Sequence, residues 1–325
     1  MAGKPKKIGV LTSGGDAPGM NPCIRAVVRM AIYHGIEVYG IREGYAGLIR
    51  GELVPLTARD VSGIIQVGGT MLRTARSPEF REKHGQREAI RQMNEVGIEA
   101  LAVIGGDGSL KGAHALAGHG VQVVGVPASI DNDIWGTSMS IGVDTALNTI
   151  LTAIDNLRDT ASSHQRAFLV ETMGRNCGYL ALVAGIIGGA EMVLVPEKET
   201  TVEQVAKEVE DAYLRGKAHA IIVVAEGSPI KCRALKEALD ELDVGFNTRV
   251  TILGHIQRGG RPSAFDRLLA TRLGVHAAEL LAKGESDVMV GLQGQEIASV
   301  PLEEVVSRRR AVNPEYFEMA HVLAL

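Results

Sequence analysis

Short apolar runs rich in β-branched residues alternate along the chain with longer stretches whose apolar positions recur at helical spacing. The runs predict strands at Ile8–Thr12, Glu37–Ile41, Ala100–Ile104, Val121–Val126, Ala167–Glu171, Met192–Val195, Ala220–Ala225, Val250–Leu253 and Asp287–Leu292. Between them the spacing predicts helices that include Met20–His34, Asn148–Asp159, Val202–Leu214, Arg233–Leu242 and Ala264–Lys283. Strand and helix in alternation mean mostly parallel sheets covered by helices on both faces, an α/β fold. A length of 325 residues exceeds one simple core, so two α/β domains or one large barrel fit. No linker rich in Pro, Gly and Ser marks a boundary, but the character of the chain changes near Ile141 and near His255.

Composition removes several classes of function. With 46% apolar and 22% charged residues the chain can bury a core, which argues against disorder. The net charge is −4, without a basic tail or aromatic-basic stripe, which argues against nucleic-acid binding. The apolar runs fall well short of the ~20 residues of a membrane helix. No apolar run long enough for a signal peptide follows Lys4-Pro5-Lys6-Lys7. Cys23, Cys177 and Cys232 lie too far apart to suggest a disulfide framework or a zinc site, so a reducing cytoplasm is expected. Glycine is in excess, at 39 residues, and gathers in short clusters directly after the apolar runs. In open parallel sheets, ligands collect beyond those carboxyl ends of the strands.

The first cluster runs from Ile8 through Gly14-Gly15-Asp16 to Asn21, where a strand turns into a helix. Adjacent glycines there can present backbone N–H groups to an anion, although an ordinary βα turn uses the same residues. Gly105-Gly106-Asp107-Gly108-Ser109 repeats the pattern, with Asp107 placed to hold a magnesium ion that bridges phosphates. Neither GxxxxGK[ST] nor GxGxxG after a strand occurs, which excludes a Walker-type NTPase and a standard dinucleotide fold by motif. Ser129-Ile130-Asp131-Asn132-Asp133 offers two carboxylates at i and i+2, which point the same way if the segment stays extended. One of them could take a proton from a hydroxyl, and an Asx turn is the plainer alternative. Arg175, between Gly174 and Gly178, suits the oxygens of a transferring phosphoryl group, or is a solvated turn residue. His255 and Arg258, with Arg249 and Arg166 near other strands, make candidate phosphate-ester donors.

Taken together, SGGDAPGMN, GGDGS, SIDND, ETMGRNCG and LGHIQRGG resemble the ATP-dependent 6-phosphofructokinases of bacterial type, and the resemblance covers essentially the whole chain. It implies two Rossmann-like three-layer α/β/α domains: a larger ATP-binding one of residues 1–141 with 256–306, and a smaller sugar-phosphate-binding one of 142–255 with 307–325. It implies a cytoplasmic homotetramer that phosphorylates fructose 6-phosphate at O1 with Mg2+ and ATP. By the same resemblance Asp131 is the base, Arg175 and Arg76 stabilise the transferring group, and Ser129 and Asp133 complete the catalytic set. Gly15, Tyr45, Arg76, Ser77, Gly106, Asp107, Gly108 and Ser109 surround ATP, and Asp107 holds the metal. The sugar phosphate meets Ser129, Ile130, Asp131, Met173, Gly174, Arg175, Glu226, His255, Ile256, Gln257 and Arg258, with Arg166 and Arg249 reaching it from a neighbouring subunit.

Relatives that use pyrophosphate carry aspartate at the place of Gly108 and lysine at that of Ala128, so the glycine favours ATP. Arg25, Arg29, Arg158, Gly189, Glu191, Arg215, Lys217 and His219 match an effector site for ADP or phosphoenolpyruvate. Ala58 and Gly63 replace an arginine and an aspartate of that pattern, and Ser77 replaces a phenylalanine near the nucleotide. The alternatives are the pyrophosphate-dependent enzyme, a lipid or NAD kinase, and a non-catalytic sensor of sugar phosphates or nucleotides.

Overall fold

Residues 3–324 are described in a computed structural model. Its strands are β1 (Lys7–Ser13), β2 (Glu37–Ile41), β3 (Leu53–Leu56), β4 (Ala100–Gly105), β5 (Gln122–Pro127), β6 (Arg166–Thr172), β7 (Met192–Leu194), β8 (Ala220–Ala225), β9 (Asn247–Ile252), β10 (Val288–Gln293) and β11 (Glu296–Pro301). The predicted strands are all present. β3 and β11 escaped prediction for a physical reason: each carries a proline, lies at a sheet edge and stays largely unburied.

The chain divides into two units, Met1–Thr145 with Arg258–Arg310 and Ala146–Gln257 with Ala311–Leu325. The first holds a sheet of order β11-β10-β5-β4-β1-β2-β3, parallel except for the two edge strands. β4 and β5 are buried along their whole length, as strands covered on both faces must be. The helices Lys83–Val96, Asp107–Ala117 and Gly44–Arg50 bury Met93, Ala89, Leu110, Leu116 and Leu48 in one core with Leu101, Val103 and Val123 of the sheet.

The second unit holds a parallel sheet of order β7-β8-β6-β9. Its core joins Leu169, Ile222 and Val224 to Val205 and Val209 of the Val202–Leu214 helix and Leu235 and Leu239 of the Cys232–Glu241 helix. Thr201 and Gln204 form a capping box that starts the first of those helices at the predicted residue. The Asn148–Asp159 helix was expected too short. It runs Val143–His164, with its first turn fixed by tertiary contacts such as the Thr145 N–H to Asp266.

Candidate active site

From β1 the chain moves outward to β2 on one side and later to β4 on the other, so the first sheet has its topological switch point between β1 and β4. The crevice beyond the carboxyl ends of such strands is where an α/β sheet binds ligands. The loops after β1 and β4 meet there. Ser13 is in register with Gly105, and Ser109 Oγ lies so close that a Cβ on Gly14 would stand 3.3 Å from it. Gly14 itself has φ +87°, a turn that an L side chain resists.

The nucleotide candidates are held around this crevice by hydrogen bonds. Thr74 Oγ1 donates to the Gly14 carbonyl at 2.7 Å, which draws the segment bearing Arg76 and Ser77 to the first loop. Arg76 is exposed, and Ser77 Oγ accepts the Phe80 N–H at 3.3 Å. Tyr45 is buried, stacks on Phe80 with centroids 3.9 Å apart, and donates its hydroxyl to the Ser109 carbonyl at 2.7 Å. Burial pushes its phenol far above the usual range, so the hydroxyl remains a donor. Asp107 opens the Asp107–Ala117 helix half-buried, its carboxylate paired with Lys111 Nζ at 2.8 Å. A Cβ on Gly108 would meet no atom within 4 Å, so nothing inside the protein demands glycine there.

The third loop adjoins the second. The Ala128 N–H donates to the Gly105 carbonyl, and a Cβ on Gly106 would stand 3.7 Å from Ser129 Cβ. Asp131 is 2% exposed, Ile130 is fully buried, and the Asp131 N–H donates to Ser129 Oγ at 3.2 Å. The extended geometry on which a shared direction of Asp131 and Asp133 depends does not occur, and the segment turns instead. Asn132 takes φ +54°, its Oδ1 accepts the Ser140 N–H, and the chain turns between the two carboxylates. The shared direction expected of i and i+2 positions is thereby lost, and Asp131 alone is enclosed while Asp133 is half-buried. Arg258 joins the first loop, donating from Nη1 to the Asp16 carbonyl at 3.0 Å.

In the second unit, Met173, Gly174 and Arg175 follow β6, and Glu226 follows its neighbour β8. Glu226 Oε1 accepts the N–H of Gly174 at 3.1 Å and of Arg175 at 2.6 Å, so this carboxylate shapes the loop. Gln257, fully buried, accepts the Met173 N–H at 2.9 Å through Oε1. Both were expected as substrate contacts, and both hold backbone. Arg175 is exposed with φ +53°. Arg249 pairs in register with Phe168, two residues from Arg166, so both arginines occupy one face of adjacent strands. His255 and Ile256 are exposed on a short 3-10 turn.

Part of the expected effector set gathers in this unit. Arg158 donates to the carbonyls of Gly188 and Gly189 and approaches His219 Nε2 at 3.4 Å, while Lys217 pairs with the buried Glu191 at 3.4 Å. Burial, with Arg158 and Lys217 nearby, holds the His219 imidazole below its ordinary pKa. Arg215 is exposed. Arg25 and Arg29 belong to the first unit, one turn apart on the Met20–Tyr33 helix, with Arg29 donating to the Ala58 carbonyl.

Sequence reasoning passed over Thr74, Phe80 and Asp266. The first two sit in a loop and a short 3-10 turn without periodicity. Asp266 reads as an ordinary acidic residue in a helix's first turn, yet it is fully buried.

The family model described as Phosphofructokinase matches residues 7–281. The chain belongs to the phosphofructokinase family. It is 52% identical over 320 residues to the ATP-dependent 6-phosphofructokinase of Thermotoga neapolitana, spanning 98% of this chain and 100% of that protein. It is 53% identical over 322 residues to ATP-dependent 6-phosphofructokinase 1 of Thermus thermophilus, with the same shares covered. The crystal structure of Pichia pastoris phosphofructokinase in the T-state matches with TM-score 0.89 and 39% identity over 94% of this chain. This chain spans 36% of that longer one.

Proposed function

We propose that the chain transfers the γ-phosphoryl group of ATP to O1 of fructose 6-phosphate, giving fructose 1,6-bisphosphate and ADP, the committed step of glycolysis. The observation that carries this is the meeting of three loops at one switch point. Ser109 Oγ packs on Gly14, and Gly106 faces Ser129, two residues before the enclosed Asp131. A phosphate-cradling turn and a proton-accepting carboxylate on adjoining strand ends are what transfer to a hydroxyl requires.

Asp107 supplies a hard, half-exposed oxygen, and no group of three or more metal-ligating side chains occurs among the described residues. That donor set fits Mg2+, which takes one or two carboxylates and completes its shell with water and phosphate oxygens. Bound there, the ion would neutralise charge on the phosphates. The Gly14–Gly15 turn and the Gly106–Gly108 segment present backbone N–H groups to the phosphates, and Thr74 holds the segment of Arg76 to the same loop. Asp131 accepts the proton from O1 as the phosphoryl group passes in line, without a phosphoenzyme. Arg175 balances charge on the equatorial oxygens, oriented by Glu226 through the backbone.

The open space at Gly108 favours ATP over pyrophosphate. Glycine is a weak helix former and the fold does not need it at this first-turn position, which supports reading it as room for the nucleotide's phosphates. We further infer a cytoplasmic homotetramer in which Arg166 and Arg249 serve a neighbouring subunit's sugar phosphate, and full activity in a monomer contradicts that arrangement. Buried cysteines without disulfides among the described residues fit a reducing compartment. The test of the base is Asp131→Ser. Turnover should fall by roughly 10²–10⁴ with fructose 6-phosphate affinity little changed, and near-normal turnover would remove Asp131 from that role.

A further inference from the structure

Asp266 lies in the first turn of the Ala264–Ala282 helix and is fully buried, yet it belongs to no loop of the proposed catalytic set. An ionised carboxylate without solvent is expensive unless its oxygens are satisfied. Here they are. Oδ1 accepts the Gly142 N–H at 2.8 Å, and Oδ2 accepts the Thr145 N–H at 2.8 Å and the Thr145 hydroxyl at 2.5 Å. Burial nonetheless raises its pKa, with the three hydrogen bonds opposing the rise. The Ser263 N–H donates to Thr145 Oγ1 at 3.0 Å, and Ser263 Oγ donates to Asp144 at 2.5 Å. The starts of the Val143–His164 and Ala264–Ala282 helices thus cap each other.

The segment fixed by that carboxylate is the one that grips the proposed base loop. Next to Gly142, Ile141 donates its N–H to the Pro127 carbonyl, accepts the Ser129 N–H, and forms a bridge with Ala128. Ser140 donates its N–H to Asn132 Oδ1 at 3.1 Å. Residues 140–142 therefore hold both ends of the turn that carries Asp131. The same segment reaches the first phosphate loop. A Cβ on Gly142 would stand 2.8 Å from Ala17 Cβ, and one on Gly19 would stand 2.5 Å from Ile141 Cγ2.

We propose that Asp266 is a positioning residue: its buried carboxylate clamps residues 142–145, and through Ile141 and Ser140 it fixes Asp131 in the place from which it takes the substrate proton. A capping carboxylate needed only for folding would leave kcat unchanged in any variant that still folds. The Asp266 carboxylate acts through its two acceptor oxygens. They set the direction of three donors at once, and an amide cannot do this because its nitrogen would face either the Gly142 N–H or the two Thr145 donors.

This rests on Asp131 being the base, and a double-mutant cycle separates the two claims. Asp266→Asn in the otherwise native full chain should lower kcat by about 10-fold or more, with KM for ATP and fructose 6-phosphate within about 2-fold. In the Asp131→Asn background the same change should alter residual turnover by less than about 2-fold, because its effect runs through the missing carboxylate. Equal losses in both backgrounds, a rise in KM with kcat intact, or unchanged kcat would each overturn the positioning role. Near-normal turnover in Asp131→Asn alone would instead overturn the choice of base. If Asp266→Asn fails to fold, Thr145→Val, which removes one of the three donors, is read in the same cycle with the same outcomes.

Discussion

Arg258 Nη1 donates to the Asp16 carbonyl at 3.0 Å, and the same guanidinium occupies the space where a side chain on Gly15 would begin, 2.4 Å from an added Cβ. Within the first unit, the loop after β1 is thereby held by one cationic side chain. Because the obstructed atom is the end of a flexible side chain, Gly15→Ala should fold and push Arg258 out of place. The expected outcome is a Tm within a few degrees of the native value and a KM for fructose 6-phosphate raised about 10-fold, a change of ~1.4 kcal/mol in binding. Steady-state kinetics beside thermal unfolding checks both, and an unchanged KM would show that Arg258 does not serve the sugar phosphate.

Gly108 offers the opposite case, a glycine surrounded by open space. Gly108→Asp should leave thermal stability nearly intact, since exposed substitutions away from packed features usually stay within ~0.5 kcal/mol. It should raise KM for ATP about 10-fold or more, by placing a carboxylate beside the nucleotide's phosphates. Unfolding midpoints and ATP titrations of the two forms decide it. Equal affinity for ATP would mean that the position has no part in donor choice.

Tyr45 reaches the nucleotide loop through its hydroxyl, which is spent on the Ser109 carbonyl, while its ring is fixed on Phe80. Tyr45→Phe keeps the stack and removes the hydrogen bond. Urea unfolding should show a loss of about 0.5–1.5 kcal/mol. KM for ATP should change by less than ~3-fold, because the hydroxyl is spent on a carbonyl of the protein rather than on the nucleotide.

His219 gives a pH dependence with a definite sign. Its pKa is lowered by burial first, and then by Arg158 and Lys217, against the pull of Glu191. The imidazole is therefore neutral near pH 7 and gains its proton on the acid side of the ordinary histidine value. An anionic effector bound at Arg158, Lys217 and His219 should bind more tightly as pH falls through that range, and His219→Gln should abolish the change. Calorimetric titration with ADP across the acid limb measures it, and pH-independent binding would remove His219 from the site.

Much of this was legible in the residues. Fully buried parallel strands such as β4 and β5 announce themselves as unbroken apolar runs, and the glycine clusters mark where those runs stop. The loops after β1, β4 and β5 therefore followed from sequence, and their meeting follows from the order of those strands in the first sheet. What sequence hid is what depends on partners distant along the chain. Asn132 adopts a left-handed turn anchored by Ser140, which no local pattern distinguishes from an extended aspartate pair. Glu226 and Gln257 each also spend an oxygen on backbone N–H groups of the loop after β6, a second role that no local pattern shows. Asp266 is separated by 124 residues from Gly142, whose N–H it accepts, so no window of sequence contains the pair.

Product analysis tests the central claim most directly. The purified chain is incubated with fructose 6-phosphate, Mg2+ and either ATP or pyrophosphate, and phosphorus NMR follows every phosphate. The expected result is equimolar ADP and a new phosphomonoester on C1 of the sugar with ATP, and no such product with pyrophosphate. Turnover with pyrophosphate alone would contradict the donor, and an unaltered sugar phosphate with both donors would contradict the kinase itself.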